Sequence, residues 1–245
     1  MSEHGKVSAI SRRFSFYAAE RADKAGNILL KCKKICIDRM RDLLTKRREI
    51  AVYERRGARE MRNVYFVRHG ETVWNVENKI CGATESPLTE RGREQARAIG
   101  RELRTRMDAG ELTLDRILCS PLSRARDTAE EIASILELPL AVDMRLREQN
   151  FGKWEGTARD GAGFQRAKEN FIDSFGGGES MMRVAQRIYN LLDELREEKE
   201  TSYLLVAHNG IARIVESYFR DMGNEEFASF GIRNAALRAY SFYNA

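Results

Sequence analysis

Three short apolar runs, each broken off by polar residues able to do chemistry, limit most strongly what this chain can fold into. Residues 63–67 (NVYFV) end at Arg68-His69-Gly70, residues 114–119 (LDRILC) at Ser120-Pro121, and residues 202–207 (SYLLVA) at His208-Asn209-Gly210. Runs this short, rich in apolar residues and stopped by turn-formers, read as buried strands. Helix-compatible stretches separate them. Thr89 opens one that continues to about residue 107. Ser120-Pro121 suits the start of a second, since serine caps and proline fits a first turn; it runs to about 137 and stops before Pro139. A short strand is expected at 140–142. Residues 150–179 are glycine-rich and irregular, with a helix near 164–171, and 180–198 and 211–219 read as helices. A final strand is expected at 236–242. Strands alternating with helices predict an α/β fold: a three-layer α/β/α sandwich with a mostly parallel sheet. Such sheets bind ligands beyond the carboxyl ends of their strands, where the polar residues stand.

The strand-helix alternation marks 61–245 as one domain. Residues 1–60 carry 16 basic and 8 acidic residues, leaving 26 basic and 29 acidic in 61–245. The net charge of +5 therefore belongs to the first quarter, and the mildly acidic remainder argues against nucleic acid as a partner. Within 1–60, residues 28–48 approximate a basic amphipathic helix with Ile28, Leu29, Cys32, Cys36, Met40, Leu43 and Leu44 on one stripe. A solvated helical or partly disordered extension is the reading adopted; an anionic membrane surface or an acidic partner is the weaker one. Met61, directly before the first strand, is a candidate internal translation start. No run approaches the roughly 20 apolar residues that span a bilayer, and the start lacks a secretory core, so no stable membrane insertion and a cytoplasmic location are expected. Cys32, Cys36, Cys81 and Cys119 show no disulfide framework, and His4 is the only histidine before His69, too few ligands for a zinc site. Reduced thiols without a metal are expected.

Both histidines of 61–245 stand directly after an apolar strand, and glycine follows each within two residues, allowing close approach of backbone to a ligand. Arg68 precedes the first. Arg124 falls in the first turn of the helix after the second strand, where free N–H groups and guanidinium donors suit a phosphate. Arg126 is read as solvated. Trp74 and Trp154 are read as packing anchors as readily as pocket walls, and Gly176-Gly177-Gly178 as a turn before a helix.

The segments RHGETVWN (68–75), CGATESPLTERGREQA (81–96), SPLSRARDTA (120–129), LREQNFGKWEG (146–156), GGES (177–180) and VAHNG (206–210) together resemble the histidine phosphatase superfamily, in the branch of cofactor-dependent phosphoglycerate mutases and broad-specificity phosphatases. The resemblance covers nearly all of 61–245 in the family's order and implies a phosphoglycerate mutase-like fold. It makes His69 the nucleophile that is phosphorylated, Arg68, Arg124 and His208 the phosphate pocket, and Glu148 the proton donor and acceptor. It places Asn75, Cys81 and Gly82 at substrate-contacting positions. Three positions depart from the pattern: Cys81 where glutamine is common, Ala83 where an aromatic is usual, and Glu85 for aspartate. They alter the rim that meets the substrate's organic part.

The function implied is hydrolysis of a small phosphorylated metabolite, without metal or other cofactor. Mutase-type phosphoryl transfer is the alternative within chemistry. Only residues 149–176 separate the glutamate from the glycine-glycine-glutamate-serine motif, a stretch short enough to leave the site open to water, which favours hydrolysis. A non-catalytic phosphate-binding protein is the alternative outside it. Oligomeric state is left open, a dimer included. A chain beginning at Met61 is expected to melt as cooperatively as the full chain and to retain its p-nitrophenyl phosphate turnover; loss of folding would refute the reading of 1–60 as an appendage.

Overall fold

Two apolar strands, β1 (Arg62–Arg68) and β4 (Tyr203–Ala207), lie parallel and adjacent near the middle of a five-stranded sheet. β2 (Arg116–Cys119) pairs with β4 and β3 (Leu140–Val142) with β2, both parallel, whereas β5 (Leu237–Phe242) pairs antiparallel with β1 at the other edge. The computed structural model describes residues 62–242, so the readings made for residues 1–60, including Cys32 and Cys36, lie outside it. The helices are α1 (Val73–Val76), α2 (Glu90–Asp108), α3 (Ser123–Leu136), α4 (Ala162–Ala167), α5 (Met181–Glu197), α6 (Asn209–Phe219) and α7 (Asn224–Ser229).

Period-two alternation explains why the central strands are apolar throughout. Val64, Phe66, Tyr203, Leu205 and Ala207 face a core shared with Val184, Ile188 and Leu192 of α5 and Ile211 and Val215 of α6. Tyr65, Val67, Leu204 and Val206 face the opposite core, shared with Ile99 and Leu103 of α2 and Ala129 and Ile132 of α3. A sheet covered on both faces needs apolar side chains in both directions, and β4 is buried at every residue. The architecture is the expected α/β/α sandwich with a mostly parallel sheet.

The helix starts reflect capping chemistry. Thr89 Oγ1 accepts from Gly92 N at 3.0 Å to open α2, and Ser180 accepts from Arg183 N at 3.4 Å to open α5. α3 corrects the sequence reading: it begins at Ser123, not at Ser120-Pro121, and its N-cap Leu122 has no capping side chain. Glu85 supplies the missing acceptor from another segment, receiving Ser123 N at 3.2 and 3.1 Å. The strand before it is also shorter than 114–119, because Asp115 turns its carboxylate to Ser202 N at 2.7 Å. The helix anticipated at 164–171 lies at Ala162–Ala167, and α1 and α7 are too short to show helical periodicity. Trp74 packs over Gly156 and Trp154 over Gly163, so both serve as anchors. Gly176 and Gly177 take φ of +70° and +103°, the turn expected before α5. Among the described residues, no helix is long and apolar enough to cross a membrane.

Candidate active site

Register decides which side chains meet. Arg68 lies opposite Ala207, and Cys119 opposite Val206. The next residues on these neighbouring strand ends are therefore His69, His208 and Ser120. The ladder continues one step, with His69 N donating to Ala207 O at 2.9 Å and Ser120 N to Val206 O at 3.0 Å. Adjacent strands lie about 4.8 Å apart, and the two imidazole centroids are 5.2 Å apart with planes tilted by 59°. His208 Nε2 shares a 2.7 Å hydrogen bond with Ser120 Oγ. Ser120 thus contributes to the site rather than capping a helix.

His69 is oriented by its own loop. Its Nδ1 lies 2.7 Å from Gly70 O. A carbonyl can only accept, so Nδ1 carries the proton and Nε2 keeps the lone pair. A side chain at Gly70 would put a Cβ 2.3 Å from Gly92 O, so glycine permits this turn to lie against the start of α2. Asn234 Nδ2 ties the loop down by donating to His69 O at 3.0 Å, Gly70 O at 3.1 Å and Asn75 Oδ1 at 3.0 Å. Burial pushes the His69 imidazole well below its ordinary pKa, and the charges of Arg124 and Arg68 add to that; the bond to Gly70 O opposes it. His208 is lowered likewise by burial, then by Arg124 and His69. Both rings are held neutral.

Arg68 Nη1 donates to Ile232 O at 2.6 Å, and burial with the neighbouring Arg159 charge lowers its pKa to about 10. Arg124, 0 % exposed, donates from Nη1 to Thr84 O at 2.9 Å and from Nη2 to Gly82 O at 2.7 Å. Three buried nitrogens on these groups, Arg68 Nε, Arg124 Nε and His208 Nδ1, have no hydrogen-bond partner among the described residues. Buried polar atoms are usually paired, so orphans on His208 and on the two arginines whose charges act on both imidazoles suit a site that receives a ligand.

The loop 81–84 is clamped from two sides. Its carbonyls face Arg124, and its amides face Glu155, which accepts from Gly82 N and Ala83 N at 3.0 Å and Thr84 N at 3.4 Å. Glu155 also accepts from Phe151 N at 2.9 Å. Gly82 is held tightly within this clamp: it is not among the cavity's lining residues, and a Cβ there would lie 2.2 Å from Gln149 O. Cys81 does line it, donating from Sγ to Thr84 O at 3.2 Å; burial raises its thiol to about 11, which makes it no nucleophile.

Glu148, 5 % exposed, accepts from Gln149 N and Gly210 N, each at 2.9 Å. A Cβ on Gly210 would approach Glu148 Oε1 to 2.4 Å, so glycine at the start of α6 lets the carboxylate sit there. Arg68, His69, Asn75, Cys81 and Glu148 line one cavity together. Arg124 and His208, both 0 % exposed, are not among its lining residues, and Arg124 is the foremost charge acting on both imidazoles. Sequence reading missed three further cations on the wall, Arg159, Lys168 and Arg213. Only Arg213 left a signal, standing one helical turn beyond Gly210 on α6. Among the described residues, no group of three or more His, Cys, Asp or Glu is placed to hold a metal ion.

Residues 64–245 match the sequence model of the histidine phosphatase superfamily (branch 1). Curated relatives include the probable phosphoglycerate mutase GpmB of Erwinia tasmaniensis, 35% identical over 159 residues that cover 62% of this chain and 71% of that protein. The same protein of Salmonella typhi is 36% identical over the same shares. Among solved structures, a mycobacterial glucosyl-3-phosphoglycerate phosphatase superposes with a TM-score of 0.62 at 29% identity, over 73% of this chain and 89% of that one. The alpha-ribazole phosphatase of Shigella flexneri gives 0.59 at 28% identity, over 72% and 89%.

Glu155→Gln is expected to lower stability by about 1–3 kcal/mol, because an amide offers the loop one acceptor and turns a donor toward its N–H groups. Amide exchange at Gly82, Ala83 and Thr84 should accelerate; unchanged protection there would contradict the clamp.

Proposed function

The chain belongs to the histidine phosphatase superfamily, and from that membership we propose that it hydrolyses small phosphomonoesters through a phosphohistidine at His69. The observation that carries this reading is the pairing of His69 with His208 on adjacent strand ends, with the Nδ1 proton of His69 committed to Gly70 O. The Nε2 lone pair attacks phosphorus, and the bond from phosphorus to the ester oxygen breaks. Glu148, protonated for this step, gives its proton to the departing alkoxide. Water then attacks the phosphohistidine and returns a proton to Glu148, and cleavage of the N–P bond releases inorganic phosphate. Phosphoryl transfer asks the protein mainly for position and positive charge around the non-bridging oxygens. Arg68, Arg124 and His208, with their orphaned nitrogens, supply donors of the needed kind, and Asn75 adds an amide whose Oδ1 is already engaged. These groups can carry the transition-state charge, so the reaction is proposed to need no metal. The phosphatases among the structural relatives support hydrolysis, and one has been solved with VO3 and with inorganic phosphate. The free thiols of Cys81 and Cys119 agree with a cytoplasmic site of action.

The names of the curated relatives favour a second reading, phosphoglycerate mutase activity. The reactions differ in product: a phosphatase releases inorganic phosphate from phosphoglycerate, and a mutase yields its isomer.

Hydrolysis of p-nitrophenyl phosphate is expected to survive a chelator, and His69→Ala should reduce kcat at least about a thousandfold. Wild-type enzyme quenched during turnover of labelled substrate should hold an acid-labile, base-stable phosphate that the variant lacks. Turnover without that adduct would refute the covalent route.

The lowered His69 pKa also sets a pH dependence. The attacking ring must be neutral, and a pKa below 6.5 keeps it so as pH falls past that value. The acid limb of kcat/KM, corrected for substrate ionisation, should therefore lie below pH 6.5; a limb at or above it would contradict the electrostatics described.

A further inference from the structure

We infer that the ion pair of Glu179 with Arg187, neither of which lines the cavity, sets the place of Glu148, so that both are positioning residues for protonation of the leaving group. The inference rests on the reading of Glu148 as the acid.

Glu148 stands on an irregular stretch between two short turns of 3-10 helix, Met144–Leu146 and Gly152–Trp154. His69 continues the β1–β4 ladder, but no strand or helix carries the main chain of Glu148. Its carboxylate accepts from Gln149 N and Gly210 N, and only Gly210 belongs to a regular element. The position of the carboxylate therefore depends on what holds the backbone of residues 145–150.

Glu179 and Arg187 hold that backbone on both sides of Glu148. After it, Glu179 N donates to Asn150 O at 2.8 Å, and Gln149 Nε2 donates to Glu179 O at 2.8 Å. Before it, Arg187 Nη1 donates to Arg145 O. The Glu179 carboxylate joins the two ties by accepting from Arg187 Nε at 2.9 Å and Nη2 at 2.8 Å. One guanidinium thus directs two nitrogens to the carboxylate and the third to the chain that leads into Glu148. The side chains of Glu179 and Arg187 are only 12 % and 14 % exposed, and a bidentate pair shielded from water holds its geometry better than a surface pair does. Glu179 directly precedes the N-cap of α5 and Arg187 lies in its second turn, so the frame is anchored to a helix packed in the core. Arg145 has a separate tie to α5, from Nη1 to Glu194 Oε2 at 2.6 Å. Weakening the Glu179–Arg187 pair should therefore leave the segment docked and alter the fit of Glu148.

The test reads leaving-group dependence in the full chain. p-Nitrophenolate departs without a proton, the alkoxide of 2-hydroxyethyl phosphate needs one, and kcat/KM covers the steps through that departure. Glu179→Gln offers Arg187 one oxygen in place of two. It should lower kcat/KM for 2-hydroxyethyl phosphate at least about tenfold more than for p-nitrophenyl phosphate. Arg187→Lys keeps the positive charge that acts on His208, but its single nitrogen cannot span Glu179 and Arg145 O. It should show the same bias, and it decides the matter should Glu179→Gln not fold. On a Glu148→Gln background neither substitution should add to the bias, because both act through Glu148. Equal losses on the two substrates, which a merely structural pair would give, overturn the inference, as does a bias that persists on that background. Glu148→Gln alone separates this failure from failure of the acid reading. If that variant is biased against the alkyl ester while Glu179→Gln and Arg187→Lys are not, Glu148 remains the acid and the positioning falls. If that variant is itself unbiased, the acid reading falls and the positioning with it.

Discussion

The parallel pairing of β1 with β4 is the constraint on which the site depends. Because Arg68 lies opposite Ala207, the two chain segments leave the sheet side by side, and each delivers an imidazole at its first position beyond the ladder. A slip of one residue would bury one histidine among core side chains and turn apolar residues toward the cavity. The alternating apolar faces of both strands, each packed against its own helical layer, hold that register. The placement of the two imidazoles and the core packing are consequences of the same pairing.

Electrostatics is the cost of this arrangement. Arg68 and Arg124 stand beside two buried rings, and burial together with those guanidinium charges keeps the rings unprotonated. Like charges confined near one another destabilise a fold, whereas a dianion placed among them is stabilised by the same field. Two neutral imidazoles and an anion-attracting surround are thus one property seen from two sides.

Position around the site is fixed by main-chain polar groups. Arg124 is held by carbonyls of the 81–84 loop, the loop by the carboxylate of Glu155, and Glu148 by the amides of Gln149 and Gly210. In each case a charged side chain is positioned by backbone dipoles rather than by an opposite charge. Each side chain is thereby oriented without an ion pair among the described residues.

The alternation of apolar runs with helical stretches, read from the sequence alone, was enough for the layered fold, and strand-end placement of His69 and His208 was enough to select them. Local rules govern both: side-chain periodicity and the turn residues after each run. Ser120 shows where those rules stop. As a sequence signal it was a helix cap; in the fold it meets His208, and Glu85 takes over the capping from another segment. Glu155, Arg159, Lys168 and Arg213 gave little local sign of their places. Their roles depend on which distant backbone or charge lies within a few ångströms, and only the packed tertiary structure sets that. The sequence determined the layers and the two histidines at the strand ends; tertiary structure decided what positions those residues and which other charges they meet, because long-range hydrogen bonds and charge proximity have no period along the chain.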